Sequence, residues 1–314
     1  MKILIANDYL DDLFEHAKQE LKEHDVVRCA DTDLVHHVKD IDVLIPVRTP
    51  TGAKIMDAAP KLRLIQQYAV GFDNIDLDAA RKRKIPVARV PSPESGMGRS
   101  LAEGALFLMI GAGRRFAKLQ KCIVNQSLEI PMGHTLFGKT VLIVGLGSAG
   151  QALARLLKPF DCHVYGIKRN LSNSLSTELG LSKLADPDDL ISLLPDCDFV
   201  VITVPLTPET AGLLGSREIE AMKQGACVVN VARGGVIEEQ PFKQALRSGK
   251  IAAAGLDVFW NEPPDPEDDL FDLEVISMPH ATGTTDLFLG KAAKMVADNV
   301  RRMEIGEEIL HRVD

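Results

Sequence analysis

Apolar runs of strand length alternate with amphipathic stretches along this chain from its first residues. Lys2–Ala6 (KILIA) reads as a buried strand, and Leu10, Leu13, Phe14, Ala17 and Leu21 then recur at helical spacing. Strands follow at 26–30, 43–47, 62–67 and 86–89, with helices near 34–38, 54–58 and Leu77–Arg83 between them. Such alternation predicts a parallel α/β sheet. Residues 91–96 (PSPESG) punctuate the series, and a long apolar helix is expected over 99–116. After a looser stretch at 122–138, a second series begins, with strands at Thr140–Val144, His163–Ile167, 199–204, 227–231, 251–254 and 274–277. Helices are expected near Gln151, Asp188, Ser216, Glu238 and Thr285. The last helix, over 286–302, is expected to cross back to the first series. The predicted organisation is therefore one domain of residues 1–97 plus 286–314 and another of residues 98–285.

The second series opens on TVLIVGLGSAGQALARLLK (140–158), an apolar strand that breaks at glycine and resumes as a helix. Gly145, Gly147 and Gly150 stand at G-x-G-x-x-G spacing, with Leu146, Ser148 and Ala149 between them. Each glycine meets a separate steric need: a tight turn, close approach of a pyrophosphate, and close packing of helix on strand. The helix N-terminus then offers unpaired N–H groups and a positive dipole end to phosphate. A dinucleotide site in a doubly wound domain is expected there. Rossmann-type domains that take NAD end the second strand in an acid, which holds the ribose 2′-hydroxyl. Here that strand runs into Lys168 and Arg169, cations suited to a 2′-phosphate. NADP is the expected cofactor, with NAD as the alternative.

Composition narrows the class without changing this reading. At 314 residues the chain exceeds the comfortable size of a single core, and its 46% apolar content is that of an ordinary globular protein. The net charge of −8 argues against a nucleic-acid surface. Five scattered cysteines, without a C-x-x-C pair, suit free thiols in a reducing compartment. No metal site is expected, since Cys29 with His36 or His37 completes no ligand spacing. The N-terminal apolar run is too short for a signal peptide or a membrane span, so a cytoplasmic protein without membrane partners is expected.

Three further patches carry chemistry at strand ends. Asn230-Val231-Ala232-Arg233-Gly234-Gly235 displays an arginine after a buried strand, where a guanidinium suits a fork-like grip on carboxylate and carbonyl oxygens. Residues 255–263 (GLDVFWNEP) offer Asp257 and Glu262, and Met278-Pro279-His280-Ala281-Thr282-Gly283 holds a histidine between a proline and a glycine turn. A fourth strand end, Tyr68 to Asp76, is a turn with Asp76 as a candidate helix N-cap.

With these patches in order along nearly the whole length, the chain resembles the D-isomer-specific 2-hydroxyacid dehydrogenases, in type the glyoxylate and hydroxypyruvate reductases. The resemblance rests on residues 70–76 (VGFDNID), Leu101-Ala102-Glu103, the glycine loop, residues 205–210 (PLTPET), 230–235, Asp257-Val258-Phe259 with Glu262-Pro263, and Pro279-His280. It implies a Rossmann-type coenzyme domain inserted in a flavodoxin-like substrate domain, with a cleft between them. His280 would give a proton to a carbonyl oxygen, Glu262 would hold the imidazole and favour its charged form, and Arg233 would polarise the carbonyl and bind the carboxylate. Val70 and Gly71 would offer backbone N–H groups to the carboxylate, and Arg48 would touch the substrate's far end. The cofactor would meet Gly145 to Gly150, Lys168, Arg169, Pro205, Thr210 and Ala232, while Asp257 would orient the nicotinamide carboxamide. The substrate would be a small 2-oxo acid and the assembly a homodimer through the helix at 99–116. Two rival readings are an NAD-dependent D-3-phosphoglycerate-type dehydrogenase and a dinucleotide-sensing, corepressor-like interaction protein. Gly104 departs from the family by standing where a histidine often follows the Ala-Glu pair. A carboxyl-terminal regulatory domain, and effector control of that kind, are not expected.

Overall fold

The computed structural model describes all 314 residues, which form two compact units, residues 1–97 with 284–314 and residues 98–283. The first contains β1 (Lys2–Ala6), β2 (Asp25–Cys29), β3 (Val43–Ile45), β4 (Leu64–Gln66) and β5 (Val87–Ala88), all parallel in the order β2-β1-β3-β4-β5. This is the flavodoxin-like order. Its crossovers include α1 (Asp11–Glu20), α2 (Ala53–Ala58) and α3 (Leu77–Arg83). Asp76 caps α3 by accepting from the Ala79 N–H at 2.9 Å. The third strand ends two residues sooner than the apolar run suggests. Pro46 has no N–H for the ladder, and Val47 turns into the left-handed region at φ 53°.

The second unit holds seven parallel strands: β6 (Thr140–Val144), β7 (His163–Ile167), β8 (Lys183–Ala185), β9 (Phe199–Ile202), β10 (Ala226–Asn230), β11 (Ile251–Leu256) and β12 (Val275–Ser277). Their order is β12-β11-β10-β9-β6-β7-β8. Both faces of the sheet are covered, as a parallel sheet requires. Alternate residues feed opposite cores: Leu142, Val200, Ile202 and Val228 enter one, whereas Val141, Ile143, Val201 and Val229 enter the other. The helices longer than one turn are α4 (Met97–Gly113), α5 (Phe116–Val124), α6 (Ser148–Leu157), α7 (Asn173–Leu179), α8 (Ser216–Ala221) and α9 (Glu239–Ser248), and the helix expected near Asp188 is a single turn, Leu190–Leu193. Three of these elements were not expected: α5, α7 and the edge strand β8.

The chain finishes in the first unit. There α10 (Asp286–Ile305) is capped by the Thr285 side chain, which accepts from Phe288 N–H, and it ends at Gly306, φ 75°. Phe288, Leu289, Ala292, Val296 and Val300 pack with Ile3, Ile5 and Leu13, and the Tyr68 hydroxyl donates to the Leu289 carbonyl at 2.9 Å. No helix is long and apolar enough to cross a membrane.

Candidate active site

In a parallel sheet every strand's carboxyl end lies on one edge, so residues distant in sequence gather where neighbouring strands stop. In the second unit β6, β7 and β9 carry the expected dinucleotide elements to that edge, and their neighbours β10, β11 and β12 carry Arg233, Glu262 and His280. One half of the sheet edge thus holds the glycine loop and the other half the three side chains expected to carry the chemistry.

The glycine loop meets the steric needs of a dinucleotide. Gly145 has φ +103°, and a Cβ there would lie 2.6 Å from Val204 Cγ1. At Gly150 a Cβ would fall 2.1 Å from the Gly145 carbonyl oxygen, so α6 could not meet β6 so closely with any other residue. A Cβ on Gly147 would meet nothing within 4 Å, which leaves open space where a phosphate would approach the start of α6. Gly147 is also the N-cap of that helix and has no side chain to occupy its first N–H groups. The residues fit the cofactor.

Thr203, which sequence reasoning passed over, fixes the loop from β9 by donating its hydroxyl to the Gly145 carbonyl at 2.5 Å. Beyond β7, the Lys168 ammonium donates to the Leu146 carbonyl at 3.1 Å, and Arg169 is exposed. Glu209 has its carboxyl lowered chiefly by a hydrogen bond from Thr207, with Arg169 near enough to add to the effect. The loop after β9 is clasped by Thr210, whose hydroxyl reaches the Pro205 carbonyl at 2.6 Å and accepts from Thr207 N–H at 2.8 Å.

After β10 the chain turns around Asn230, a second residue to which the sequence lent no role. Its side chain accepts from Ala232 N–H at 3.0 Å and donates to the Arg233 carbonyl at 2.9 Å. The Arg233 guanidinium donates to the Ala232 carbonyl at 2.8 Å. Gly234 must be glycine, because a Cβ would fall 2.1 Å from the Phe259 carbonyl oxygen, where the β10 and β11 loops cross.

Glu262 and His280 form the central pair. Glu262 Oε2 lies 2.7 Å from His280 Nδ1, while Oε1 accepts from Phe259 N–H at 3.1 Å. The carboxylate is therefore aimed by its own loop before it meets the ring. Trp260 steadies that loop by donating its indole N–H to the Ile237 carbonyl at 2.7 Å. His280 occupies the left-handed region, φ 56°, which costs an L-residue about 1–2 kcal/mol and persists where surrounding contacts enforce it. Its N–H donates to the Asp257 carbonyl at 2.7 Å.

Asp257 lies behind the His280 turn. Expected to orient a nicotinamide, it is wholly buried, and Oδ1 accepts from the Ala281 and Thr282 N–H groups at 2.7 and 3.1 Å. The Thr282 hydroxyl donates to Oδ2. This aspartate holds the turn that carries His280. Its own N–H donates to the Asn230 carbonyl at 3.0 Å, so one backbone chain joins the Arg233 turn to the His280 turn.

Arg48, Val70 and Gly71 belong to the first unit. Arg48 is exposed just past β3, near enough to Tyr9 to oppose the rise that burial and Asp31 impose on that phenol. The Val70 carbonyl accepts from Arg89 at 3.1 Å, and Arg89 lies over the Phe72 ring at 5.5 Å.

Comparison with known proteins agrees with this geometry. Residues 106–282 match the family model described as D-isomer specific 2-hydroxyacid dehydrogenase, NAD binding domain. A glyoxylate reductase from Korarchaeum cryptofilum is 36% identical over 282 residues, which cover 87% of this chain and 83% of that protein. A D-3-phosphoglycerate dehydrogenase from Archaeoglobus fulgidus is 32% identical over the full length of this chain, which spans 59% of that longer protein. Among solved structures, a putative D-isomer specific 2-hydroxyacid dehydrogenase from Polaromonas superposes with a TM-score of 0.87 at 26% identity, covering 100% of this chain and 99% of that one.

Proposed function

The chain belongs to the D-isomer-specific 2-hydroxyacid dehydrogenases, which are NAD(P)-dependent enzymes, and from that premise we propose that it reduces a small 2-oxo acid of the glyoxylate or hydroxypyruvate type to the D-2-hydroxy acid with NADPH. The observation that carries the chemistry is the 2.7 Å pairing of Glu262 with His280 Nδ1, from strands one and two places along the sheet from the strand that carries Arg233. When bound, the reduced nicotinamide supplies a hydride to C2. His280, held through Nδ1 by Glu262, delivers the proton from Nε2 to the carbonyl oxygen, which completes the hydroxyl. Arg233 grips the carboxylate and carbonyl and offsets the negative charge that grows on oxygen in the transition state. Val70 and Gly71 are proposed to give N–H groups to the carboxylate, and Arg48 to touch the substrate's far end.

Preference for NADPH rests on Lys168 and Arg169 at the end of β7, where no carboxylate stands to hold a ribose 2′-hydroxyl. A homodimer rests on a band of exposed apolar side chains at Phe107, Ile110, Phe116, Ile123, Val124 and onward to Phe137. The test is steady-state turnover of a panel of 2-oxo acids with NADPH and NADH. Glyoxylate or hydroxypyruvate turned over fastest with NADPH supports the proposal. Tight NADPH binding without turnover of any 2-oxo acid would favour a dinucleotide sensor, and preference for a phosphorylated 2-oxo acid with NADH a phosphoglycerate-type enzyme.

A further inference from the structure

The turn that carries His280 is held from behind by a contact whose parts come from three places in the second unit. Asp257 follows β11, Thr282 follows His280, and Gly104 lies in α4. Asp257 is 0% and Thr282 3% exposed, so the contact between them is shielded from water. The Asp257 carboxylate takes three hydrogens from the turn, two from the Ala281 and Thr282 backbone and one from the Thr282 hydroxyl. Only the hydroxyl reaches Oδ2 among these. A carboxylate in a dry interior depends on every donor it has, and losing one makes it turn toward the others.

The methyl of Thr282 points at α4. A Cβ on Gly104 would lie 2.3 Å from Thr282 Cγ2 and 2.7 Å from Thr282 Cβ, closer than atoms approach without a shift. Gly104 is thus the gap that admits a threonine, and the departure noted at this position in the sequence acquires a steric reason. The Thr282 side chain is fixed on one side by α4 and on the other by Asp257.

We propose that Thr282 is a positioning residue for the reduction: its hydroxyl locks the Asp257 carboxylate against the 280–282 turn, keeps His280 in its left-handed conformation, and so holds the imidazole on Glu262 at the angle from which it protonates substrate. The proposal rests on the reading of His280 as the proton donor. Loss of the hydroxyl moves the ring without removing any group that touches substrate or cofactor, so it lowers kcat and spares cofactor binding.

The test compares Thr282→Val, which keeps the shape and removes the hydroxyl, with Thr282→Ser, which keeps the hydroxyl and removes the methyl, in the full-length protein. In Thr282→Val, kcat for the best 2-oxo acid should fall on the order of 10- to 100-fold, as a displacement of about 1 Å can do, with the NADPH Kd within about twofold of the parent. Its Ala281 and Thr282-position amides should exchange hydrogen faster in the ligand-free protein. Thr282→Ser should restore kcat to within roughly threefold of the parent and restore slow exchange. Parental kcat in Thr282→Val overturns the proposal, as does a Thr282→Ser variant damaged as badly as Thr282→Val. Failure of the underlying reading shows separately: His280→Ala would then keep its turnover whatever Thr282 does.

Discussion

His280 reaches its place through backbone contacts that no local pattern announces. The histidine, the arginine and the glutamate could be singled out because each ends a strand among prolines and glycines. The left-handed φ of His280, the burial of Asp257 and the brace from Thr282 could not, since all three depend on loops from neighbouring strands meeting. Asp257 in sequence is simply an acid at a strand end, the same description that fits Glu262. What separates them is depth: Glu262 lies five residues further along a loop that turns it out to the ring. Its charge is the next thing to test. Glu262→Gln keeps a hydrogen-bonding side chain but loses the negative charge beside the ring and weakens the charge-assisted bond that orients it, so kcat for reduction should drop roughly 10- to 100-fold, read by steady-state assay at fixed pH. Unchanged kcat would leave orientation as the carboxylate's whole contribution. Arg169→Ala should raise the KM for NADPH by roughly 10- to 100-fold, the loss of one or two charge-assisted bonds, and leave the KM for NADH alone. Equal changes with both cofactors would remove Arg169 from 2′-phosphate recognition.

Elements that bury their apolar residues were legible, and the three that were missed, α5, α7 and β8, bury one residue or none. Helix α10 and strands β1, β6 and β7 fall where periodicity places them. Strand β8 has only three residues, Lys183–Ala185, none of them buried, because it forms the edge of the seven-stranded sheet. Helix α5 has no buried residue at all, so its apolar positions do not mark a core-facing stripe within this chain. Polar contacts between strand starts were equally invisible. Asp198, just ahead of β9, accepts from the Thr140 N–H at 3.1 Å and from Lys223 at 2.8 Å, joining the starts of β6 and β9 to the loop before β10. Burial alone would raise its carboxyl, but the bonds from Lys223 and Thr140, with Lys139 nearby, leave it below the ordinary 3.8. A carboxyl lowered by folding stabilises the native state above its ordinary value and loses that contribution as pH falls through the folded value. Asp198→Asn should therefore destabilise the protein by roughly 1 kcal/mol at neutral pH, a modest figure because Lys223 is half exposed. Urea midpoints of parent and variant should converge as the pH drops below 4; a gap that stays constant would mean the charge is irrelevant and packing alone was disturbed.

At the scale of the whole molecule, the surface is uneven in a way the composition hides. Large exposed apolar side chains concentrate between Phe107 and Phe137, where Phe107, Ile110, Phe116, Ile123, Val124, Leu128, Ile130, Met132 and Phe137 are all exposed. Scattered exposed hydrophobics need no explanation, but a contiguous run of this kind is what a second protein surface covers. Helix α5, which has no buried residue, lies within this run. A second copy is the occupant that the family reading supplies, and a two-fold interface would place each copy's run against the other. Sedimentation of the full-length protein at micromolar concentration should give twice the chain mass, and Ile123→Glu with Val124→Lys should give the chain mass alone, since charges buried at the centre of such an interface lack partners. The paired substitution lies on exposed positions, so the variant's circular dichroism should match the parent's. A parent that sediments as a monomer at these concentrations would assign the apolar run to a different partner and remove the dimer from the proposal.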